Sequence, residues 1–462
     1  MALRVRSWAG RAKVAATLAA AVGLAVATGA AWAMVPREAP PEATPEAPPA
    51  APAGEAQAAP VEHDASEFLR VSEQEDGAVV TLELAIRELE PLDASRPRLW
   101  LVSAVHIGDG AYYQRLQEFL DTKELVLYEG VRPPGVGGDV ASLSDDEKAK
   151  VTQKRLAFLG TLVERQKQMA GAYPASLEDF AREADARYAH LVRGAMVDAW
   201  GREIVMEARE PDAEGLWGFD LVSAGADGAE GGAGADADLR FSAGEMPPAA
   251  RVKQMARGGG GGGGLQARLA RALGLKFQLE EMRHDGPNWV NSDMSVDQMQ
   301  ERFAAAGADG DALFRMLDGT SIQARLAGLM LGFVERSPEL RVMVKSMMVE
   351  VLSRGEALTR RTPGGMGAAM GVILHDRNEV VLADLARVLE REERPGTVGI
   401  IYGAGHMPDL QTRIEAMGYR AVGTEWVPAI TVDLRNAPGG VEQARRMRET
   451  IRRSVDRQLG QE

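Results

Sequence analysis

Two of the six histidines sit in matching surroundings. His106 follows the apolar run Arg98 to Val105 (RLWLVSAV). His406 follows Thr397 to Tyr402 (TVGIIY) and the small-residue turn Gly403-Ala404-Gly405. Glu129 closes a third apolar run, Glu124 to Tyr128 (ELVLY). Two neutral imidazoles and a carboxylate suit a divalent ion that keeps open positions for water. Such an ion lowers the pKa of bound water and polarises a carbonyl, the ordinary hydrolytic use. The opposing reading is structural, since a single histidine after a strand more often only packs. The duplicated context is what lifts this pair above it. The chain has no cysteine, so thiolate nucleophiles, disulfides and cysteine-type zinc sites are excluded and any metal falls to His and carboxylate.

The elements that must position these residues follow from hydrophobic periodicity. Strands are expected at Ala78 to Ile86, Arg98 to Val105, Glu124 to Tyr128, Thr397 to Tyr402, Tyr419 to Trp426 and Ala429 to Leu434. Helical spacing runs through Ala111 to Leu120, Asn378 to Arg391 and Met407 to Met417, and through Leu265 to about Leu358, where Met-rich stretches read as core. LWLVSAVHIGDGAYYQRLQEFL and VGIIYGAGHMPDLQTRIEAM form a weak internal repeat of strand, histidine turn and helix. Two such strands deliver their histidines to one sheet edge, where open α/β sheets place ligands. The expected fold class is α/β (mixed α+β), a central sheet wrapped by helices and split by an inserted small α+β domain.

The expected divisions are an export signal or anchor (1–35), a Pro/Ala-rich tether (36–65), the first part of the core (66–145), the insert (146–245), a glycine connector (246–264), the second part of the core (265–436) and a C-terminal helix (437–462). Arg4, Arg6, Arg11 and Lys13 before the apolar run Val14 to Ala33, closed by Ala31-Trp32-Ala33, predict export. The body is then periplasmic, or anchored in the inner membrane and facing outward. A formal net charge of -14 excludes nucleic acid as a partner, and the basic stretch Arg445 to Arg457 reads as a solvated helix face. Gly258 to Gly264 lacks the Lys-Ser/Thr of a phosphate loop. Pro408 spoils a dinucleotide fingerprint at Gly403 and Gly405.

SAVH (Ser103 to His106), GAGH (Gly403 to His406), YEG (Tyr128 to Gly130) and HDRN (His375 to Asn378) resemble the TraB/PrgY/GumN family, to which TIKI proteases are similar. Phe277 to Ser295 (FQLEEMRHDGPNWVNSDMS) resembles a further segment of its bacterial members. SAVH departs from the family's Gly-x-x-His at Ser103. The resemblance implies metal-dependent peptide hydrolysis. It implies His106, Glu129 and His406 as metal ligands, Asp293 as an extra one, and Glu129 and Arg377 as catalytic residues. It also implies Mn, Co or Zn as the ion and a peptide or protein as substrate. Arg377 would stabilise an oxyanion or orient a carboxylate; its other reading is an ion-paired residue at a helix start. Asn378 reads as a cap for that helix.

GAYPASLEDF (Gly171 to Phe180), DAWGREIVM (Asp198 to Met206) and FDLVSAGADGAEGGAGADADL (Phe219 to Leu239) resemble the globular part of the type II secretion major pseudopilin. A helix to Gln168 and another near Ser176 to Tyr188 accompany them. Ser223, Asp227, Asp236 and Asp238 present hard oxygens on a Gly-rich loop, which suits calcium. The alternative to a hydrolase is a peptide-binding or scaffold protein of the envelope, docked through this insert to a secretion-system partner.

Overall fold

The apolar runs before His106, Glu129 and His406 pair into one sheet. The structure is a computed structural model and describes residues 63, 67–137, 140–183, 192–209, 218–243, 265–307, 332, 334–354 and 369–458. The expected export signal, the tether apart from His63, and the glycine connector lie outside the described residues. Among the described residues no helix is long and apolar enough to cross a membrane.

In chain order the elements begin with β1 (Leu69–Gln74), β2 (Val79–Pro91), β3 (Arg98–Ala104), β4 (Ile107–Gly108), α1 (Gly110–Leu120) and β5 (Leu125–Tyr128). Next come α2 (Asp145–Ala170), α3 (Leu177–Glu183), β6 (Val205–Arg209), β7 (Gly218–Ser223) and β8 (Leu239–Ser242). Then follow α4 (Leu265–Leu273), β9 (Lys276–Phe277), the single turn α5 (Gln278–Glu281), β10 (Trp289–Asn291), α6 (Val296–Ala305) and α7 (Pro338–Leu352). The chain closes with α8 (Arg377–Glu390), β11 (Thr397–Gly403), α9 (Met407–Ala416), β12 (Tyr419–Asp433) and α10 (Gly440–Gln458).

The central sheet is mixed and seven-stranded, in the order β1-β2-β3-β11-β5-β10, with β12 on the other side of β2. β3, β11, β5 and β10 are parallel neighbours, while β2 is antiparallel to β1, β3 and β12. A parallel strand covered on both faces must be apolar along its length, and the five residues Val398 to Tyr402 of β11 are all buried. One face packs Val102, Val126 and Ile401 against Tyr112, Tyr113 and Leu116 of α1 and against α4 and α7. The other packs Leu101, Leu127 and Ile400 against Val381 and Leu385 of α8 and Leu410 and Ile414 of α9. The molecule is therefore a mixed α+β protein with a helix-covered central sheet, as the sequence predicts.

Two details differ from the sequence expectation. The stretch expected as two strands, Tyr419 to Trp426 and Ala429 to Leu434, forms the single strand Tyr419–Asp433, because irregularities at Ala421/Gly423 and Pro428/Ile430 absorb the breaks in alternation while pairing with β2 continues. The stretch after Leu265 contains β10, which adds a fourth parallel strand at the sheet edge. The second insert helix is described only over Leu177–Glu183, and residues 184–191 lie outside the described residues.

Within 146–245, β6, β7 and β8 form a separate antiparallel sheet with its own core of Leu156, Leu159, Val163, Phe180, Phe219 and Leu221. Its long helix α2 starts at a capping box, in which Ser144 and Glu147 each satisfy the other's backbone N–H. Gly160 on α2 faces Phe241 so closely that a Cβ there would lie 2.2 Å from the ring. The helix can approach β8 only with glycine at that position.

Candidate active site

Each parallel strand ends in a candidate residue. β3 leads to His106, β5 to Glu129, β11 through one 3-10 turn (Ala404–His406) to His406, and β10 to Asp293. β11 lies between β3 and β5, with Gly403 beside Ala104 and Ile401 beside Tyr128, so the two histidine turns are neighbours. Their C-terminal ends make one edge, the position the sheet's geometry reserves for ligands.

Arg377 is the hub. It opens α8 after a π-helical turn (Val372–Asp376) and is 1% exposed. Its Nη2 donates to Glu129 Oε1 at 2.7 Å and to Asp293 Oδ2 at 2.5 Å, and its Nε donates to Asp293 Oδ1 at 2.9 Å. Asp293 also accepts from the backbone N–H groups of Gly130 (3.0 Å) and Met294 (2.7 Å). Glu129 Oε2 accepts from the Gly403 N–H at 2.6 Å. Burial opposes the charge on Glu129, but Arg377, both histidines and the Gly403 N–H overcome it and hold the carboxyl at about 2. Burial likewise opposes the charge on Arg377, and Asp293 and Glu129 keep it protonated.

His406 is fixed in both orientation and tautomer. Asn378 Nδ2 donates to Asp409 Oδ2 (2.7 Å) and to the His406 carbonyl (3.2 Å), so its Oδ1 must face His406 Nδ1, 2.8 Å away. Oδ1 only accepts; Nδ1 therefore carries the proton and Nε2 keeps its lone pair. That lone pair lies 3.7 Å from Glu129 Oε1, and the ring packs edge-on to Tyr402. Burial, aided by Arg377 and only partly offset by Glu129, lowers His406 to about 4. Burial also lowers His106, which lies in the fields of Glu129 and Arg377 and hydrogen-bonds the Gln278 side chain. Both imidazoles are neutral at pH 7.

Of the residues read from the sequence, Glu129, His406, Asp293 and Arg377 meet at one place with His106 in their electrostatic field, whereas Asn378 does not cap its helix. That side chain orients His406 and leaves α8 uncapped. Its complete burial is the signal, visible only in the fold. His375 is half-exposed and pairs with Asp409 at 3.3 Å. His284 packs on Tyr128 and Trp289. Ser103, where the family pattern has glycine, is buried inside β3 beside Tyr402, and its hydroxyl has no partner among the described residues.

His406 Nε2 and Glu129 Oε1 are spaced as two ligands of one ion, since a tetrahedral centre with bonds of about 2.1 Å separates its ligands by about 3.4 Å. Among the described residues, no group of three or more His, Asp or Glu is assembled to hold a metal ion. The donor chemistry thus fits at two positions, with Arg377 supplying positive charge between the carboxylates.

In the insert, the loop carrying the calcium candidates is folded back by Ala226 N–H to Ala235 O (2.9 Å) and Asp238 N–H to Gly231 O (3.1 Å). Ser223 is buried and donates to Asp198 Oδ2 at 2.7 Å. Asp227 accepts from the Ala229 N–H and Asp238 from the Gly231 N–H. Asp236 is exposed at the end of a 3-10 turn. Arg202 reaches into the same loop and donates to the carbonyls of Gly225 and Ala226.

Residues 139–242 match the family described as type II secretion system (T2SS), protein G. The insert is therefore pseudopilin-like, and this likeness points to a secretion-associated role in the cell envelope. No curated protein and no solved structure matches the chain.

Proposed function

We propose that this chain is an exported envelope protein of the TraB/PrgY/GumN type whose strand-end cluster hydrolyses peptide bonds with a divalent transition metal, Mn, Co or Zn. The observation that carries the reading is the tautomer-fixed, neutral His406, with its Nε2 lone pair facing the ionised Glu129 at 3.7 Å. His406 and Glu129 would hold the ion, with His106 as the third donor. When bound, the ion supplies an acidified water and a polarised carbonyl. Arg377 keeps Glu129 ionised and aimed at His406, and Asp293 anchors Arg377 through two hydrogen bonds. Asn378 presents the correct nitrogen of His406. The proposed pseudopilin-like insert docks to a secretion-system partner, with Ser223, Asp227, Asp236 and Asp238 closing on calcium as the loop rearranges.

The test is metal content. Protein lacking the residues before Ser66 should take up one equivalent of Mn, Co or Zn by elemental analysis, and the His106→Ala/His406→Ala double variant should take up none. Full occupancy in the double variant sinks the reading. The lack of a three-ligand group among the described residues favours a second reading, a peptide-binding scaffold without catalysis. Zero metal uptake by the parent protein, with retained peptide binding, would select it.

A further inference from the structure

One amide side chain grips His406 at two points: Asn378 donates to its carbonyl at 3.2 Å and faces its Nδ1 at 2.8 Å. The other histidine has a matching neighbour. The Gln278 backbone N–H donates to the His106 carbonyl at 2.8 Å, just beyond the antiparallel pair Ile107 and Phe277 of β4 and β9. On its other side the Gln278 carbonyl accepts from the Met282 N–H at 2.9 Å, which closes the single turn α5. The backbone of Gln278 is therefore clamped at both ends, and the residue is 6% exposed.

The direction of its side chain follows from the chemistry of an amide, which carries an acceptor at Oε1 and donors only at Nε2. Burial is the largest influence on His106 and lowers its pKa, while the Gln278 side chain raises it. A neutral amide raises the pKa of an imidazole by accepting from its N–H, so Oε1 is the atom turned towards the ring. Oε1 is sealed from solvent and makes no hydrogen bond of ordinary length among the described residues. Buried acceptors are as a rule paired, and the ring N–H of His106 is the donor that serves this one.

We propose that Gln278 is a positioning residue for His106, as Asn378 is for His406. Its Oε1 accepts the single N–H of the neutral ring, and the other ring nitrogen keeps its lone pair for the ion. The ring closes this contact by turning about its own side-chain bonds, because the backbone of both residues is held. The neutral amide fixes the tautomer without adding a third negative charge beside Glu129 and Asp293. Each imidazole of the cluster is then oriented by an amide from a helical turn, Asn378 in α8 and Gln278 in α5. The inference rests on the metal reading for its consequence in ion binding, but not for the contact itself.

The test uses the full chain, labelled with nitrogen-15 histidine and kept metal-free with a chelator at pH 8. Nitrogen-15 NMR, with His106 assigned from a His106→Gln variant, should show one tautomer in the parent. Gln278→Met keeps the length of the side chain without the acceptor and should give a mixture of tautomers. Gln278→Glu restores an acceptor and should return the proton to the same nitrogen. Mixed tautomers in the parent overturn the proposal, as does a single unchanged tautomer in a folded Gln278→Met protein. With the chelator removed, zinc affinity is read by competition with a chromophoric chelator. It should fall about 10- to 100-fold in Gln278→Met, the usual cost of losing the partner that orients a metal-binding histidine, and recover in Gln278→Glu. Unchanged zinc affinity in Gln278→Met overturns the role in ion binding. No zinc uptake by the parent sinks the metal reading instead, and the tautomers still decide the contact. Should Gln278→Met fail to fold by circular dichroism, the spectrum of the parent decides alone.

Discussion

Replacing Glu129 with glutamine keeps the size of the side chain and its contact with the Gly403 N–H but removes its charge. The folded carboxyl is held at about 2, against 4.5 in the absence of its surroundings. Each unit of pKa is worth about 1.4 kcal/mol, so ionised Glu129 contributes on the order of 3 kcal/mol at neutral pH. The folded value lies below the unfolded one. The contribution is therefore complete above the unfolded value of 4.5 and is lost as pH falls towards the folded value of about 2. Glu129→Gln should be about 3 kcal/mol less stable than the parent at pH 7, and the gap should shrink to less than about half of that at pH 3. Arg377 keeps Asp293 in the variant, so no buried cation is orphaned. His406, lowered by burial to about 4, is partly raised by Glu129 and would not cancel in the difference, so both proteins are compared in a His406→Gln background that removes its titration. The assay is equilibrium urea unfolding of both proteins at pH 7, 5 and 3, followed by tryptophan fluorescence. A gap that stays constant from pH 7 to pH 3, or no gap at pH 7, refutes the charge cluster.

Three further outcomes follow from particular contacts. Asn378→Ala removes the acceptor that faces His406 Nδ1, so nitrogen-15 NMR should show His406 changing from a single Nδ1–H tautomer to a mixture; an unchanged spectrum removes Asn378 as the positioning residue. Gly160→Leu drives a side chain into Phe241 and should cost about 3 kcal/mol, the upper end for overpacking. Limited proteolysis should then cut first within 146–243, and cleavage that begins in the central sheet instead would contradict the separate core there. Glu350 is fully buried against Arg448, so Glu350→Ala should destabilise by about 3 kcal/mol in thermal unfolding by leaving that buried cation with only the partly exposed Glu73 at 3.0 Å. A loss under about 1 kcal/mol would mean that α10 is not held by this pair.

Much of the fold was legible because it depends on local chemistry. Apolar runs ending in small residues mark β3 and β11, and their repeat predicts two histidines at one edge. The pseudopilin-like segment was readable from short motifs within about 100 residues of each other, a match that the family comparison supports. β10 was not legible, since three residues are too few for alternation to speak. β12 was read as two strands because its irregularities break the period without breaking the ladder.

The sequence by itself determined which residue types are available at the strand ends and that the charged ones follow apolar strands. Only the tertiary structure decided how they combine. Arg377 meets a carboxylate 248 positions away because β11 inserts between β3 and β5 and α8 packs across their face. Asn378 becomes an orienting group for the same reason. Periodicity reports which face of an element is buried. The pairing of polar groups across elements is set by strand order and register, which no local pattern encodes.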